Sequence, residues 1–195
     1  DICAYAVMHN HLHLVLHVDT AQVNNWSTLE VLTRWHQLYK GTHLTRQYLQ
    51  QQTLNEYERE MVEDTSNIYK QRLIDISWFM RDLNEYIARE ANKEDGCTGR
   101  FWEGRFQSQA LLDEGALLSC MAYVDLNPVR AAIVPTPEQS DFTSIQLRIK
   151  AAIKGTQPTA LLPFIGHEHQ DKTRGICFSL QDYLMLVDET GRILR

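Results

Sequence analysis

Apolar and polar side chains alternate with a period of two over residues 8–17, a pattern typical of a β-strand. One face of this strand would carry apolar residues, Met8, Leu12, Leu14 and Leu16, and the other would carry histidines, His9, His11, His13 and His17. Successive side chains of a strand point to opposite faces, so we expect the leucine face to pack on a core. His11 and His13 form the tightest histidine pair and could converge on one divalent ion. The alternative is a half-buried strand whose polar face happens to carry imidazoles.

Helical spacing dominates the rest of the chain. It predicts helices over residues 25–37, 64–91, 113–127, 141–154 and 178–187. Asn25 or Ser27 would cap the first of these helices, and the third should stop near Asn127 because Pro128 follows it. The polar residues 44–64 are predicted as a further helix or a mobile excursion, residues 155–175 as a linker, and residues 190–192 as a turn.

The bulk composition narrows the class of protein. The 195 residues can bury one good core with a small appended subdomain. No apolar run approaches the roughly 20 residues that span a bilayer, so we predict no membrane partner. The cysteines lack the spacing of zinc ligands and are interpreted as reduced thiols of a cytosolic protein: Cys3, Cys97, Cys120 and Cys177. The net charge of −6 argues against nucleic-acid binding through general electrostatics, although one surface could still be locally positive.

Arginines and aromatic residues are interleaved in the segment Gly99–Leu112, which we interpret as a loop or hairpin entering a strand. Exposed aromatic rings beside arginines suit base stacking and phosphate contact, which makes Arg100, Trp102 and Arg105 candidates for DNA binding. Composition alone supports equally well the alternative that the aromatic rings pack beneath a hairpin.

Tyr123 and Asn127 are four residues apart on the third predicted helix, so they should share one face of it. A tyrosine on an amphipathic helix is usually a core residue with a satisfied hydroxyl, and an asparagine before a proline is an ordinary helix C-terminus. The helix by itself therefore leaves the role of both residues open.

Three segments occur in a fixed order along the chain: residues 8–13 with the paired histidines, residues 99–106 with the arginines and aromatics, and residues 123–131 with the sequence YVDLNPVRA. This combination resembles the REP-associated tyrosine transposases, which are relatives of the single-tyrosine insertion-sequence transposases in the His-hydrophobic-His nuclease superfamily. The resemblance covers about residues 4–135, and the segment 178–192 is similar to an extension of longer members.

The resemblance implies an α+β fold, with a ferredoxin-like antiparallel sheet, packed helices and the histidines on a central strand. Residues 1–135 would form the transposase-like catalytic domain, and residues 136–195 a mostly helical C-terminal extension. Family members carry a further strand and helix before the histidine strand, and we expect these to be missing from this chain. The position of His9 is usually small or proline in the family.

The resemblance also implies the site and its chemistry. Tyr123 matches the catalytic nucleophile, while His11, His13 and Asn127 match the ligands of Mg²⁺ or Mn²⁺. The implied activity is that of a metal-dependent endonuclease and strand transferase, a transposase that acts on single-stranded DNA at REP-type hairpins. Cleavage would leave a 5′-phosphotyrosine link and a free 3′-OH. Arg130 joins the three candidates of the 99–106 segment as a DNA-binding residue.

Two alternatives remain open at this point. A domesticated or truncated relative would bind hairpin DNA or RNA without cutting it, which the acidic balance and the expected missing segment favour and the intact site residues oppose. A structural metal-binding or interaction domain would require the order of the motifs to be accidental. The resemblance implies a bacterial cytoplasmic protein, associated with the nucleoid when bound to DNA, and leaves both a monomer and a homodimer open.

Overall fold

The computed structural model describes residues 1–166 and 174–193, and the chain divides into two compact units. Unit 1 consists of Asp1–Val18 together with Gln109–Arg195, and unit 2 consists of Asp19–Ser108. Unit 2 is therefore an insertion between the two segments of unit 1. The predicted domain boundary near residue 135 falls inside unit 1.

Helix and strand are both present, at 55% and 8% of the described residues, and the strands pair antiparallel. This confirms the α+β character, whereas the ferredoxin-like arrangement stays a prediction. The strands are β1 (Ile2–Val7) and β2 (Leu12–Leu16). The helices are α1 (Thr20–Asn24), α2 (Thr28–Leu38), α3 (His43–Leu49), α4 (Glu56–Ile74), α5 (Ile76–Glu94), α6 (Glu114–Asp125), α7 (Asn127–Arg130), α8 (Ser144–Ala152) and α9 (Leu180–Ile193), with a 3₁₀ turn at Pro137–Gln139. No helix of the described residues is long and apolar enough to cross a membrane.

The predicted histidine strand is present as β2, but its buried face is not the leucine face. Val15, which shares a face with His13, is only 3% exposed, whereas the leucines of β2 are half-buried. Across the sheet, Val15 pairs with Ala4 and His13 pairs with Ala6. Both alanines are fully buried, and β1 and β2 both contact α6. Small alanine side chains let a helix approach the sheet closely, so the histidine face lies against α6.

The edge of β1 that faces away from β2 also forms hydrogen bonds. Val7 donates its N–H to the Phe142 carbonyl at 3.1 Å, and Ala6 forms an isolated antiparallel bridge with Thr143. β1 therefore lies between β2 and the segment that leads into α8. Around this sheet unit 1 builds one core from the following buried side chains: Cys3, Ala4, Ala6, Val15, Met121, Ala122, Val124, Leu126, Val129, Ile145, Leu162, Phe164, Ile176, Tyr183 and Val187.

Unit 2 has a separate core centred on Trp35 of α2. The Trp35 ring stacks on Tyr69 of α4 with centroids 3.9 Å apart and lies 4.1 Å from the ring of Tyr39. The predicted start of α2 is confirmed, because Ser27 caps it and forms a reciprocal capping box with Glu30.

The helix predicted over residues 64–91 is wrong as a single element. α4 begins already at Glu56, after an Asn55–Glu58 capping box. It ends at Ile74, and Asp75 separates it from α5. The backbone of Asp75 is extended and its carboxylate accepts the Ser77 N–H at 2.7 Å. Asp side chains compete in this way for backbone N–H donors and can end a helix. A helix boundary can therefore fall inside a continuous apolar stripe.

Two further predictions fail in the second half of the chain. Residues 190–192 lie inside α9 and do not form a turn, and Gly99–Leu112 enters no strand. The third and fourth predicted helices are present as α6 and α8, within about three residues of the predicted ends. Part of the predicted linker, residues 167–173, lies outside the described residues.

Candidate active site

α6 places Tyr123 on the outside of unit 1. Asp113 caps the helix by accepting the Ala116 N–H at 2.7 Å, and Asp113 with Glu114 puts negative charge at the positive end of the helix dipole. Met121, Ala122 and Val124 turn inward, whereas Tyr123 is 48% exposed. The alternative that Tyr123 is a core tyrosine is therefore wrong.

The two predicted histidine ligands lie side by side at the start of β2. The connection from β1 is a tight turn in which Met8 donates its N–H to the His11 carbonyl at 2.9 Å. The rings of His11 and His13 are 4.8 Å apart between centroids and nearly perpendicular, at 87°. His11 is exposed and His13 half-buried, so both rings reach the surface of unit 1.

Tyr123 meets this pair across the packing of α6 on the sheet. Its ring lies 6.2 Å from the His13 ring, edge to face at 88°. The Arg130 guanidinium also lies over the Tyr123 ring, with its carbon 4.3 Å from the ring centroid. The two sequence segments of unit 1 thus contribute to one cluster of side chains. We call it the site cluster: His11, His13, Tyr123 and Arg130.

Asn10 is hydrogen-bonded to the first histidine, a role that only its place between two histidines could have indicated from the sequence. The His11 Nδ1 and the Asn10 Oδ1 are 2.6 Å apart. With the amide oxygen turned toward the ring, the neutral imidazole that fits this contact is the Nδ1–H tautomer, whose Nε2 lone pair is available. An oriented imidazole with a free Nε2 is the usual form of a metal-binding histidine.

The second histidine is kept neutral by its surroundings. Burial lowers the pKa of His13, and the positive charge that His11 acquires on protonation lowers it further. A lowered pKa favours the neutral imidazole at physiological pH, and only the neutral ring offers a lone pair to a metal or a proton.

Asn127 is placed differently from the prediction. α6 ends at Asp125, and Asn127 opens the separate short helix α7 with Pro128 behind it. Its side chain is half-buried, and its amide makes no hydrogen bond to any described residue. The contacts that define the site cluster do not include it. No group of three or more His, Cys, Asp and Glu side chains is placed to hold a metal within residues 1–166 and 174–193; the predicted ligand set, two imidazoles and an amide, is of a different kind.

The remaining DNA-binding candidates belong to unit 2 and are partly engaged in its own structure. Trp102 is half-buried and donates its indole N–H to the Asn84 carbonyl at 2.9 Å. Arg100 is exposed, but its guanidinium donates to the carbonyls of Trp102 and Glu103. Arg105 is exposed. These contacts favour a structural role for Trp102 and Arg100, while a role in DNA binding stays a prediction.

The sequence does not predict the buried polar group that lies directly behind Tyr123. Asp125 is fully buried, and its carboxylate accepts hydrogen bonds from Ser144 Oγ, from the Ile145 N–H at 2.9 Å and from the Tyr183 hydroxyl at 2.6 Å. Burial raises the pKa of Asp125 to about 6, although the three hydrogen bonds and the Arg148 charge act in the opposite direction. No sequence pattern marks this residue, because its partners come from distant parts of the chain.

This raised pKa predicts how the stability of unit 1 depends on pH. A folded-state pKa above the unfolded value stabilises the fold fully below the unfolded pKa, near 3.8, and the contribution is lost as the pH rises through about 6. Relative to Asp125→Asn, the parent should lose about 2 kcal/mol of unfolding free energy between about pH 4 and about pH 7. Because all four tryptophans lie in unit 2, fluorescence would follow the wrong unit. Hydrogen exchange of the α6 amides reads unit 1, and a parent-to-variant difference that stayed constant with pH would contradict the prediction.

No family model, curated protein or solved structure matched this chain. The resemblance to the REP-associated tyrosine transposases therefore rests on the three motifs and their order, and the geometry of the site cluster is a separate observation.

Proposed function

We propose that the chain is a metal-dependent endonuclease and strand transferase for single-stranded DNA, of the REP-associated tyrosine transposase type, with Tyr123 as its nucleophile. The observation that carries this proposal is the contact between Tyr123 and His13 beside His11. The two motifs that supply these residues lie far apart in the sequence and were singled out separately, yet their side chains meet at one exposed place on unit 1.

The donor atoms of the site suit the proposed ion. The Nε2 of His11 and the neutral ring of His13 would be its ligands, and the Asn127 amide oxygen would be the third ligand that the resemblance implies. Such a set leaves positions for water and phosphate oxygens on Mg²⁺ or Mn²⁺. When bound, the ion would polarise the scissile phosphate and neutralise developing charge.

The side chains of the site cluster would carry the other steps. Tyr123 Oη would attack phosphorus in line, so that the Oη–P bond forms while the bond from phosphorus to the 3′ oxygen breaks. The tyrosine gives up its hydroxyl proton, and the departing 3′ oxygen gains one to become a 3′-OH. Arg130, with one guanidinium face on the Tyr123 ring, is exposed and could hold a phosphate oxygen next to the nucleophile. The resulting 5′-phosphotyrosine conserves the bond energy for rejoining.

The test is an adduct assay on the full chain. Labelled single-stranded DNA carrying a REP-type hairpin of the source genome would be incubated with the protein and Mn²⁺, and a parallel reaction would contain a chelator. We expect a protease-sensitive protein–DNA adduct only in the reaction with Mn²⁺. Hairpin binding without an adduct would favour a domesticated relative that binds DNA without cutting it. The absence of both hairpin binding and an adduct would refute the proposal. In the cell such an activity would belong where DNA is accessible, in the bacterial cytoplasm.

Asn10 provides a more local prediction for the proposed metal site. Asn10→Ala removes the partner of the His11 Nδ1–H, so the ring loses both its orientation and its tautomer. Partners of this kind typically contribute 10- to 100-fold to metal affinity, and we expect a loss of about that size. Calorimetric titration with Mn²⁺ measures it. Asn10→Asp keeps the acceptor and serves as the control, and equal affinities of Asn10→Ala and the parent would contradict the assignment.

A further inference from the structure

Asp125 and Tyr123 lie on opposite sides of the same helical turn. Each residue of an α-helix advances the side chain by about 100°, so residues two apart point about 200° away from each other. Tyr123 accordingly faces solvent and the histidine pair, whereas the Asp125 carboxylate points into unit 1 and is 0% exposed. Whatever holds Asp125 in place therefore also sets the direction in which Tyr123 points.

Two elements hold this carboxylate directly, and a third is linked to it through Ser144. Its Oδ1 accepts the N–H of Ile145 at the start of α8 and the hydroxyl of Ser144, and its Oδ2 accepts the Tyr183 hydroxyl from α9. Ser144 Oγ in turn accepts the Tyr5 N–H of β1 at 2.8 Å. One side chain thus ties the last turn of α6 to α8, to α9 and to the sheet, and we call these residues the Asp125 knot: Asp125, Ser144, Ile145, Tyr183 and Tyr5.

The position of the knot matters because helix ends fray most readily. Asp125 is the last residue of α6, and its C-cap Leu126 leads at once into α7. Tyr123 sits within this final turn, and Arg130 stacks on it from α7. A nucleophile must be held within a few tenths of an ångström of its productive place, and an error of about 1 Å can cost about 100-fold in rate.

We propose that Asp125 is a positioning residue, which holds Tyr123 against His13 by fixing the rotation of the last turn of α6. It does not touch the reacting atoms, and the knot lies wholly behind the helix. The inference rests on the proposed function for its effect on rate, but the placement of Tyr123 can be measured without any reaction.

Three substitutions weaken the knot in steps. Tyr183→Phe removes one hydrogen bond and changes no volume beyond one oxygen, Ser144→Ala removes the link to the sheet, and Asp125→Asn keeps the shape while losing the charge. Gln146→Ala is the matched control on α8. The Gln146 amide bonds to the Glu138 carbonyl and the Asp141 carboxylate, at 3.1 Å and 2.7 Å, so its loss disturbs the same helix without reaching α6.

Two readouts separate positioning from simple destabilisation. The first is the rate of adduct formation at saturating hairpin DNA beside the dissociation constant for that DNA. We expect the rate to fall about 10- to 100-fold in Tyr183→Phe and Asp125→Asn, with binding unchanged within about twofold. The second is fluorine NMR of fluorotyrosine placed at position 123. We expect one line in the parent and in Gln146→Ala, and a shifted or split line in the knot variants.

The outcomes are distinguishable. Knot variants that keep both the parent rate and the parent fluorine line overturn the inference, as does a Gln146→Ala variant that loses as much rate as Tyr183→Phe. If the parent itself forms no adduct, the proposed function fails, and the fluorine spectra alone then decide whether the Asp125 knot places Tyr123. If Asp125→Asn does not fold, Tyr183→Phe carries the comparison.

Discussion

Tyr123→Phe is expected to abolish the covalent protein–DNA adduct while leaving the fold and the hairpin affinity unchanged. Phenylalanine keeps the ring that contacts His13 and Arg130 but lacks the oxygen that would attack phosphorus. The Tyr123 hydroxyl makes no hydrogen bond to a described residue and half of the side chain is exposed, so the stability change should stay within about 0.5 kcal/mol. Gel separation of labelled DNA before and after protease treatment measures the adduct, and thermal unfolding measures the fold.

The matched control is Tyr86→Phe. Tyr86 is also a helical tyrosine, more exposed at 67%, and it lies on α5 of unit 2. It should retain the full adduct yield. An adduct that persists in Tyr123→Phe, and maps to another residue, would show that the nucleophile has been misassigned even if the chain cuts DNA.

The predictions that were confirmed depend on interactions between near neighbours in the sequence. The start of α2 follows from the Ser27–Glu30 capping box and that of α6 from the Asp113 cap, and both sets of partners lie within one helical turn. The period-of-two pattern that predicted β2 is equally local. The convergence of His13 with Tyr123 could be expected only from the order of the three motifs, since spacing within one motif says nothing about the distance to another.

The predictions that were wrong depend on which residues of other elements pack against a given residue. The face of β2 that packs inward is decided by Ala4 and Ala6 on the neighbouring strand, whose small side chains admit α6, and not by the leucines of β2 itself. The Asp125 knot is invisible in the sequence for the same reason, because a buried carboxylate is recognisable only when its donors are known. Within residues 123–131 the motif singles out Tyr123, whereas Asp125, two residues further on, accepts three hydrogen bonds.

His13→Ala is expected to reduce the rate of adduct formation about 1,000-fold and to weaken Mn²⁺ binding. Metal polarisation of a phosphate supplies several kcal/mol, and about 4 kcal/mol corresponds to three powers of ten in rate. His13 also contacts the Tyr123 ring at 6.2 Å between centroids, so its loss removes a packing contact of the proposed nucleophile together with a proposed metal ligand. His17→Ala is the control, since His17 directly follows β2, about 13 Å along the chain from His13, and its ring lies beside the Asp1 carboxylate at 3.7 Å. A His13→Ala variant that cuts at the rate of His17→Ala would exclude His13 as a ligand.

Parent protein that cuts equally well in Mn²⁺ and in chelator would refute the metal-dependent mechanism itself and leave Tyr123 to be activated by the side chains of the site cluster alone.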